Sequence, residues 1–423
     1  MQKSYTYKYG KGTVSFSLDS DQIIDELFIK DYPVLPDPAA AIREAIRNPI
    51  GSKPLSEIVK PGESVAFLVN DTTRVANSHV FMPVLLDELN AAGIPDQDMK
   101  VVFALGTHRL MTDSEMIGEV GSDVARRVRL YNSDSKDQSQ FQFFGTTSYG
   151  TPVYLHKEVV SADHIICTGS VVHHFFAGYG GGRKALLPGV AYYETIRKNH
   201  SLMLDPCATI GRLEGNPIYH DQIEGTEMRR PTFLLNVVLN EKKEFLHVFA
   251  GDYIAAHKEC CTFVNSVYGV QVKQEADIVI ASCGGYPKDI NVYQLQKTMD
   301  NAWCAVREGG VVIILGECAE GSGSELYEKT MEKYRTPAEV EAAIRADFQI
   351  GAHKAYAVTR LMKKADFVLV SSMKPELAEL LLFTPASDLE TAMQIACTKL
   401  GVEKPSVTLM PMGSLTVPQI SAE

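Results

Sequence analysis

Residues 162–171 read ADHIICTGSV, a short apolar run that ends in small and polar residues. A run of this length and character predicts a strand that is buried within a sheet. Similar runs occur at 64–71, 100–108, 232–240, 276–285, 309–318, 364–373 and 405–413. Short buried strands are therefore expected over most of the chain.

Segments of helical composition lie between these strands. Asp37 suits the N-cap of a helix, because Pro38 then takes the first helical position, where no hydrogen-bond donor is needed. The other helical segments are 80–93, 113–127, 252–268, 290–307, 324–345 and 377–399. Strands that alternate with helices predict an α/β fold with largely parallel sheets.

The length of 423 residues favours at least two domains. The helical segment 252–268 separates two series of strands, so we place a boundary near 266–275. We therefore predict two α/β domains, 1–268 and 275–400, with an active-site crevice between them. The final segment, 401–423, is expected to be able to return to the first domain.

The composition narrows the class of protein. A net charge of −11 argues against nucleic acid or an anionic membrane as the main partner. Eight cysteines without a CxxC pair indicate neither a zinc framework nor a disulfide framework. A polar N-terminus, and no apolar run of about 18 residues, predict a cytoplasmic protein with no membrane span.

Three predicted strands of the first domain lead into reactive side chains. These are Asp71, Thr72, Thr73 and Arg74 after the first strand, His108 after the second, and His173 and His174 after the third. In open parallel sheets, ligands bind beyond the carboxyl ends of the strands, so we expect these side chains to converge.

The residue types suit acid/base chemistry on an anion. Two imidazoles can serve as acid and base near neutral pH. Arg74 offers a planar fork for a carboxylate, and Asp71 is placed to bond a neighbouring histidine and fix its tautomer.

A glycine-rich loop follows, HHFFAGYGGGRKALLPG at residues 173–189. It matches neither a Walker A loop nor a dinucleotide fingerprint. Glycines nevertheless let backbone N–H groups approach a phosphate, which predicts such a role for Gly180, Gly181 and Gly182. Lys184 would pair with that phosphate or become covalently attached; the alternative is a tight turn with a surface lysine.

The second domain contributes the segment 286–303. If its helix begins near Asp289, Gln294 and Lys297 share one face, with Tyr293 beside them. An amide and an ammonium presented together suit a small hydroxy acid or any other anion.

Taken together, these residues resemble the nickel-pincer lactate racemase family over nearly the whole chain. The resemblance is carried by Asp71 and Arg74, His108, His174, the GGGRK loop ending at Lys184, His200, and the cluster of Tyr293, Gln294 and Lys297. The spacing of ten residues from Lys184 selects His174 rather than His173.

The resemblance implies the cofactor and the roles of these residues. The cofactor would be nickel in a pyridinium-3,5-bisthiocarboxylic acid mononucleotide, attached to Lys184 as a thioamide, with His200 as a metal ligand. His108 and His174 would be the paired acid/bases. Cofactor binding would also involve Asp71, Thr72, Thr73, Gly180, Gly181 and Gly182. Substrate binding would involve Arg74, Tyr293, Gln294 and Lys297.

The implied activity is racemisation or epimerisation of a 2-hydroxy acid by removal and return of hydride, with enzymes of cofactor synthesis as partners. His353, Lys354 and Tyr356 favour a substrate larger or more polar than lactate, with lactate as the alternative. Two other functions stay open. One is a two-lobed anion-binding protein without chemistry, and the other is a hydrolase with zinc on His108, His174 and Asp71.

Overall fold

A computed structural model describes residues 1–420 of the chain. The strands are β1 Gln2–Tyr9, β2 Gly12–Asp19, β3 Ile23–Glu26, β4 Val65–Asn70, β5 Met99–Ala104, β6 Arg129–Asn132, β7 Phe141–Thr146, β8 Pro152–His156, β9 His164–Ser170, β10 His173–His174, β11 Gly178–Tyr179, β12 Phe233–Leu239, β13 Phe245–Gly251, β14 Gly269–Val272, β15 Ala276–Ser282, β16 Val306–Leu315, β17 Asp366–Val370, β18 Thr384–Ala386, β19 Val407–Met410 and β20 Val417–Ile420.

The α-helices lie between these strands, in the alternation expected from the sequence. They are α1 Pro38–Arg47, α2 Leu55–Ile58, α3 Ser78–Ala91, α4 Asp113–Val120, α5 Ser122–Arg127, α6 Lys157–Val160, α7 Tyr193–Ser201, α8 Pro217–Glu227, α9 Ala255–Tyr268, α10 Val292–Trp303, α11 Glu325–Lys333, α12 Pro337–Ala346, α13 His353–Thr359, α14 Pro375–Leu380 and α15 Leu389–Leu400. Over residues 1–420, no helix is both long and apolar enough to cross a membrane.

The chain divides into two compact units. The central unit is Tyr32–Asn265, and the terminal unit combines Met1–Asp31 with the chain from Ser266 onward. The central unit contains a six-stranded sheet in the order β13-β12-β9-β4-β5-β6. Neighbouring strands are parallel except for β12 and β13, which are antiparallel.

The core of the central unit forms where helices α1 and α3 cover this sheet. Phe67 and Val69 of β4 alternate onto one face and pack in the same cluster as Ile46 of α1 and Leu85 of α3. The Asp37 side chain accepts a hydrogen bond from the Ala40 N–H and so caps α1, as predicted. The buried sheet fixes the ends of its strands, from which the candidate site is built.

The terminal unit contains a second six-stranded sheet, in the order β18-β17-β16-β15-β19-β3. All of its neighbouring strands are parallel. The mixed α/β fold with large parallel sheets that the sequence predicted is therefore confirmed. Three predicted helical segments are each two helices: Gly121, with φ +87°, separates α4 from α5; Thr336 caps a new helix α12; and β18 separates α14 from α15.

The predicted domain limits differ from the units of the structure. Residues 1–31 were assigned to the first domain, but β3 pairs with β19 at the edge of the terminal sheet. The segment 401–423 was expected to return to the first domain, but β19 pairs with β15, and β20 pairs with β14. The N-terminal segment, rather than the C-terminal one, therefore joins a unit from which it is separated in the sequence. Residues 421–423 of the final segment lie outside the described residues. The chain leaves the central unit at Asn265–Ser266.

Candidate active site

Three neighbouring strands of the central sheet, in the order β9, β4 and β5, end at one edge. Asp71 directly follows β4, and His108 lies shortly after β5. The two side chains meet there, with His108 Nδ1 2.5 Å from Asp71 Oδ2. The predicted pairing of Asp71 with a neighbouring histidine is therefore present.

Asp71 is almost fully buried, and its carboxylate stays ionised. Thr73 donates to Asp71 Oδ1 from its N–H at 3.1 Å and from its hydroxyl at 2.7 Å. Burial is the largest single influence and raises the pKa of Asp71, but the hydrogen bonds from His108 and Thr73 and the charges of His108 and Arg74 together hold the pKa below its ordinary value. A carboxylate accepts only, so these hydrogen bonds assign the proton of neutral His108 to Nδ1 and leave Nε2 with a lone pair.

Thr72 and Arg74 lie on the same turn and are exposed. The Arg74 guanidinium bonds within its own turn, at 3.2 Å from the carbonyl oxygen of Thr73. The positive charge of Arg74 contributes to the lowered pKa values of both His174 and Lys184.

His173 and His174 begin a short hairpin in which β10 pairs with β11. His173 Nε2 lies 2.8 Å from Asn265 Oδ1, and its ring lies against Tyr179. Burial lowers the pKa of His173 to about 4, although the bond to Asn265 opposes that shift. These contacts give His173 a supporting position in the hairpin.

The ring of Phe176 brings three of the predicted site residues together. Its centroid lies 4.5 Å from that of His174 and 5.1 Å from that of His200 on α7. The Lys184 ammonium nitrogen lies 5.7 Å from the same centroid. We call Phe176, His174, Lys184 and His200 the Phe176 cluster.

Two members of the Phe176 cluster are electrostatically suited to the neutral form. Burial lowers the pKa of His174 well below its usual value, and neighbouring cationic groups, among them Arg74, add to the effect. Burial, followed by the charges of Arg183 and Arg74, likewise lowers the pKa of Lys184. The pKa of Lys184 falls well below that of a lysine in water, which favours an uncharged nucleophilic amine.

The backbone of the glycine loop forms hydrogen bonds within the central unit. The Gly180 N–H donates to the Val172 carbonyl oxygen, and the Gly182 N–H donates to Asn236 Oδ1 at 2.9 Å. A Cβ on Gly182 would lie 2.6 Å from the His257 ring, and Gly181 is equally crowded. With φ values of +66° and +58°, Gly181 and Gly182 let the loop pack on its own unit. The N–H groups of Gly180 and Gly182 are therefore already used inside the protein.

Lys184 lies on the single 3-10 turn Gly182–Ala185 that follows the glycines. Beyond it, the Gly189 carbonyl oxygen accepts a hydrogen bond of 2.9 Å from the Gly106 N–H, two residues before His108. The lysine loop is thus tied to the strand end that carries the Asp71–His108 pair.

Tyr293, Gln294 and Lys297 lie on α10 of the terminal unit, which begins at Val292 rather than near Asp289. Lys297 Nζ donates to Gln294 Oε1 at 3.0 Å, so the predicted shared face is present. Asp289 is instead buried, where its carboxylate accepts from the Gly10 N–H at 2.7 Å. Tyr293 and Lys297 are exposed.

Comparison with known proteins gives a consistent result over most of the chain. A family model described as the lactate racemase N-terminal domain matches residues 9–211, and one described as the lactate racemase C-terminal domain matches residues 271–417. The chain belongs to the lactate racemase family. It is accordingly an isomerase, as the sequence resemblance implied.

Curated relatives named lactate racemase cover nearly the whole chain. The protein from Thermoanaerobacterium thermosaccharolyticum is 33% identical over 397 residues, 92% of this chain and 93% of its own length. The protein from Lactiplantibacillus plantarum is 31% identical over 414 residues, 96% of this chain and 97% of its own length.

Solved structures agree with the family assignment. The lactate racemase apoprotein from Thermoanaerobacterium thermosaccharolyticum superposes with a TM-score of 0.90 at 31% identity, covering 99% of this chain and 100% of that one. A Thermotoga maritima protein superposes with a TM-score of 0.66 at 17% identity, over 92% of this chain and 100% of that one, and shows the fold alone.

The zinc-hydrolase alternative requires three protein ligands from His108, His174 and Asp71. Within residues 1–420, no group of three or more His, Cys, Asp or Glu side chains is arranged to hold a metal ion.

Sequence reasoning missed three residues of this region. Phe176 stands inside the quoted loop, and an aromatic side chain between histidines and glycines was the available signal. Arg183 is fully buried, yet beside Lys184 it was indistinguishable from a second surface cation. His257 of α9 donates from Nε2 to the Gly180 carbonyl oxygen at 2.8 Å, and no local pattern in the sequence links α9 to the loop.

Proposed function

We propose that the protein is a racemase of a 2-hydroxy acid that works with a nickel-pincer nucleotide tethered to Lys184. The observation that carries the proposal is the Phe176 cluster, in which the Lys184 amine lies with two histidines around one aromatic ring. Membership of the lactate racemase family supports the class of reaction.

The residues present fit this cofactor in their chemistry. A neutral Lys184 amine is the form that can attack a thiocarboxylate carbon and form a thioamide. An imidazole from His200, together with soft sulfur donors, is a reasonable ligand set for nickel. Since no three-ligand metal group occurs in residues 1–420, a cofactor that brings its own donors is consistent with the site. When bound, the group would supply an acceptor and donor of hydride at the substrate α-carbon.

The two proposed acid/base histidines have complementary hydrogen-bonding states. His108 directs its Nδ1–H toward Asp71, so its Nε2 can accept the proton of a substrate hydroxyl group. His174 Nδ1 accepts from the Ala177 N–H at 3.3 Å, so in neutral His174 the proton is on Nε2. His108 is therefore prepared to act as base and His174 to donate a hydrogen bond.

Arg74 of the central unit, and Gln294 and Lys297 of the terminal unit, are each proposed as substrate-binding residues. Arg74 provides a planar fork for a carboxylate next to the Asp71–His108 pair. Gln294 and Lys297 present an amide and an ammonium from one face of α10. Both groups can bond the oxygen atoms of a 2-hydroxy acid and favour the charge that develops there.

Lactate is the first substrate to test, because both curated relatives carry that name. A more polar acid is the second, because the buried Lys354 ammonium lies 3.9 Å from the ring centroid of Tyr293. Lys354 also donates to Gln296 Oε1, and His353 Nδ1 accepts from the Gly351 N–H, so part of this polar group is used within the unit. A panel of enantiopure acids, followed by polarimetry, ranks the substrates.

The decisive test is the intact mass of protein made together with the enzymes of cofactor synthesis. The wild-type chain should carry an adduct with near-stoichiometric nickel, and the adduct should be absent from Lys184→Ala. The exposed Lys136→Ala is the matched control and should keep both. His200→Ala should lose nickel but retain the adduct.

The same experiment separates the alternative functions. An unmodified wild-type mass under these conditions would contradict the tethering proposal and favour an anion-binding protein without chemistry. Zinc that persists in His200→Ala would favour a hydrolase.

A further inference from the structure

A row of four polar side chains lies behind the lysine loop, and none of them is exposed to solvent. They are Arg183, Gln222, Asn199 and Asp221, each with 0% of its surface accessible. Arg183 belongs to the loop, Asn199 to α7, and Gln222 and Asp221 to α8. Buried polar groups are costly unless they are bonded, so their partners matter.

The hydrogen bonds of this row run in one direction. Arg183 Nε donates to Gln222 Oε1 at 3.0 Å, and Gln222 Nε2 donates to Asn199 Oδ1 at 3.0 Å. Asn199 Nδ2 then donates to Asp221 Oδ2 at 2.7 Å. A cation begins the row and a carboxylate ends it, so each amide dipole is aligned with its neighbours and strengthens them. We call these four residues the buried relay.

Both ends of the buried relay are anchored. Asp221 accepts from the hydroxyl groups of Thr147 and Thr151, at 2.5 Å and 2.9 Å. At the other end, Arg183 Nη2 donates to the Ala177 carbonyl oxygen at 2.8 Å, and the guanidinium lies over the ring of Tyr219. The side chains at both ends of the relay are therefore held in place by hydrogen bonds.

The positions of the relay along the chain connect it to the proposed cofactor site. Arg183 immediately precedes Lys184, the proposed tether, and Asn199 immediately precedes His200, the proposed nickel ligand. The carbonyl that anchors Arg183 belongs to Ala177, which follows Phe176. The contacts of Arg183 and Asn199 thus hold the backbone next to members of the Phe176 cluster.

We propose that the buried relay is a positioning device that sets the spacing between Lys184 and His200, so that a cofactor tethered at one is held correctly by the other. Arg183, Gln222 and Asn199 act through their neighbours and touch no reacting atom. This inference rests on the proposed function, because it assigns both attachment points to one cofactor.

Stability alone does not account for such an arrangement. A buried ionic row can often be replaced by apolar side chains of similar volume without loss of stability, whereas a bonded row fixes one geometry. Partners in the outer sphere of a metal site typically change metal affinity by about 10- to 100-fold when removed. Breaking the relay should therefore accelerate metal loss beyond what the accompanying loss of stability explains.

The test uses Gln222→Met, which keeps the length of the side chain and removes both relay bonds. In protein co-produced with the cofactor enzymes, the Lys184 adduct mass should be unchanged. Nickel should be lost to excess EDTA about tenfold faster, or more, than from the wild type. Thr168→Val is the matched control, because it removes another buried hydrogen bond of the central unit, from Thr168 Oγ1 to the Leu68 carbonyl oxygen. It should lower Tm without changing the rate of nickel loss.

Moving the negative charge of the relay from position 221 to position 222 tests whether nickel retention can be restored. Gln222→Glu keeps the acceptor for Arg183 but places an acceptor against Asn199 Oδ1, so nickel loss should accelerate. Adding Asp221→Asn lets the Asn199 amide reverse, with the same net charge, and should restore nickel retention toward the wild-type rate.

Two results would overturn the inference. One is nickel loss from Gln222→Met at the wild-type rate. The other is faster loss in Gln222→Met and Thr168→Val alike, in step with their Tm values.

Failure of the proposed function is recognised separately, as wild-type protein with no adduct and no nickel. The relay is then tested in the apoprotein through the ¹⁵N resonances of the His200 ring. These should shift in Gln222→Met and not in Thr168→Val, and unchanged resonances would contradict the inference.

Discussion

The Asp71 carboxylate and the His108 imidazole meet across the ends of two adjacent parallel strands, with Oδ2 and Nδ1 2.5 Å apart. Neither residue is near the other in sequence, so the register of β4 and β5 creates the pair. The buried carboxylate orients a ring that is itself partly exposed. A carboxylate in this position can stabilise the imidazolium that forms when the ring accepts a proton.

Asp71→Asn should reduce turnover of both enantiomers by about 10²–10⁴-fold, because the amide no longer fixes the Nδ1–H tautomer or stabilises the protonated ring. Steady-state rates with each enantiomer provide the measurement. Glu63→Gln is the matched control, since Glu63 bonds His164 Nε2 at 2.7 Å away from the site. Equal losses in the two variants would show that the effect is on folding.

His174→Gln should reduce racemisation by a similar factor, because this ring belongs to the Phe176 cluster. His173→Gln should chiefly lower Tm, because His173 bonds Asn265. Rates and thermal unfolding of both variants distinguish the two positions. Normal turnover in His174→Gln, with loss in His173→Gln, would place the acid/base one residue earlier.

Lys297→Ala should lower kcat/KM by about tenfold to a hundredfold, as expected for a charge-assisted bond to substrate, while the adduct and the nickel content stay unchanged. Intact mass, metal analysis and initial rates measure the three quantities. The exposed Lys374→Ala of the same unit should match the wild type in all of them. Nickel loss in Lys297→Ala would contradict the assignment of Lys297 to substrate.

The apoprotein should lose stability as the pH falls below about 6.5. Burial lowers the pKa of His257 to about 3 in the folded state, so between these values the unfolded chain binds a proton that the folded chain does not. Unfolding free energy should then fall with decreasing pH by about 1.4 kcal/mol per unit for this group. In denaturant titrations between pH 6 and 4, His257→Gln should reduce the slope by that amount. An unchanged slope would show that His257 does not carry this dependence.

The sequence predicted the parts of the fold that depend on local pattern. β9 was recognisable because its apolar residues are consecutive, and α1 because Asp37 and Pro38 mark its start. The convergence of Asp71 and His108 was predictable because both follow strands of one parallel sheet.

What could not be predicted depends on contacts between distant segments. The pairing of β3 with β19 has no signal in either strand, because an edge strand needs only a compatible length and some apolar residues. Likewise, the crowding of Gly182 by His257 is a relationship between the loop and α9, which the sequence around Gly182 does not indicate. Burial of Arg183 depends on Tyr219 and Gln222, which lie on α8 and are distant from Arg183 in the sequence.

The position of β3 has a consequence for how the chain is made. Its partner β19 leaves the ribosome about 380 residues later, a delay of roughly 20–80 s at ordinary rates of translation. During that interval, the contiguous residues of the central unit can fold and β1 can pair with β2, whereas β3 has no partner strand. Transient protection of this segment by a chaperone, and harm from fusions that restrain it, are therefore expected during biosynthesis. A fragment that starts at Ser266 would lack β3, the strand that pairs with β19.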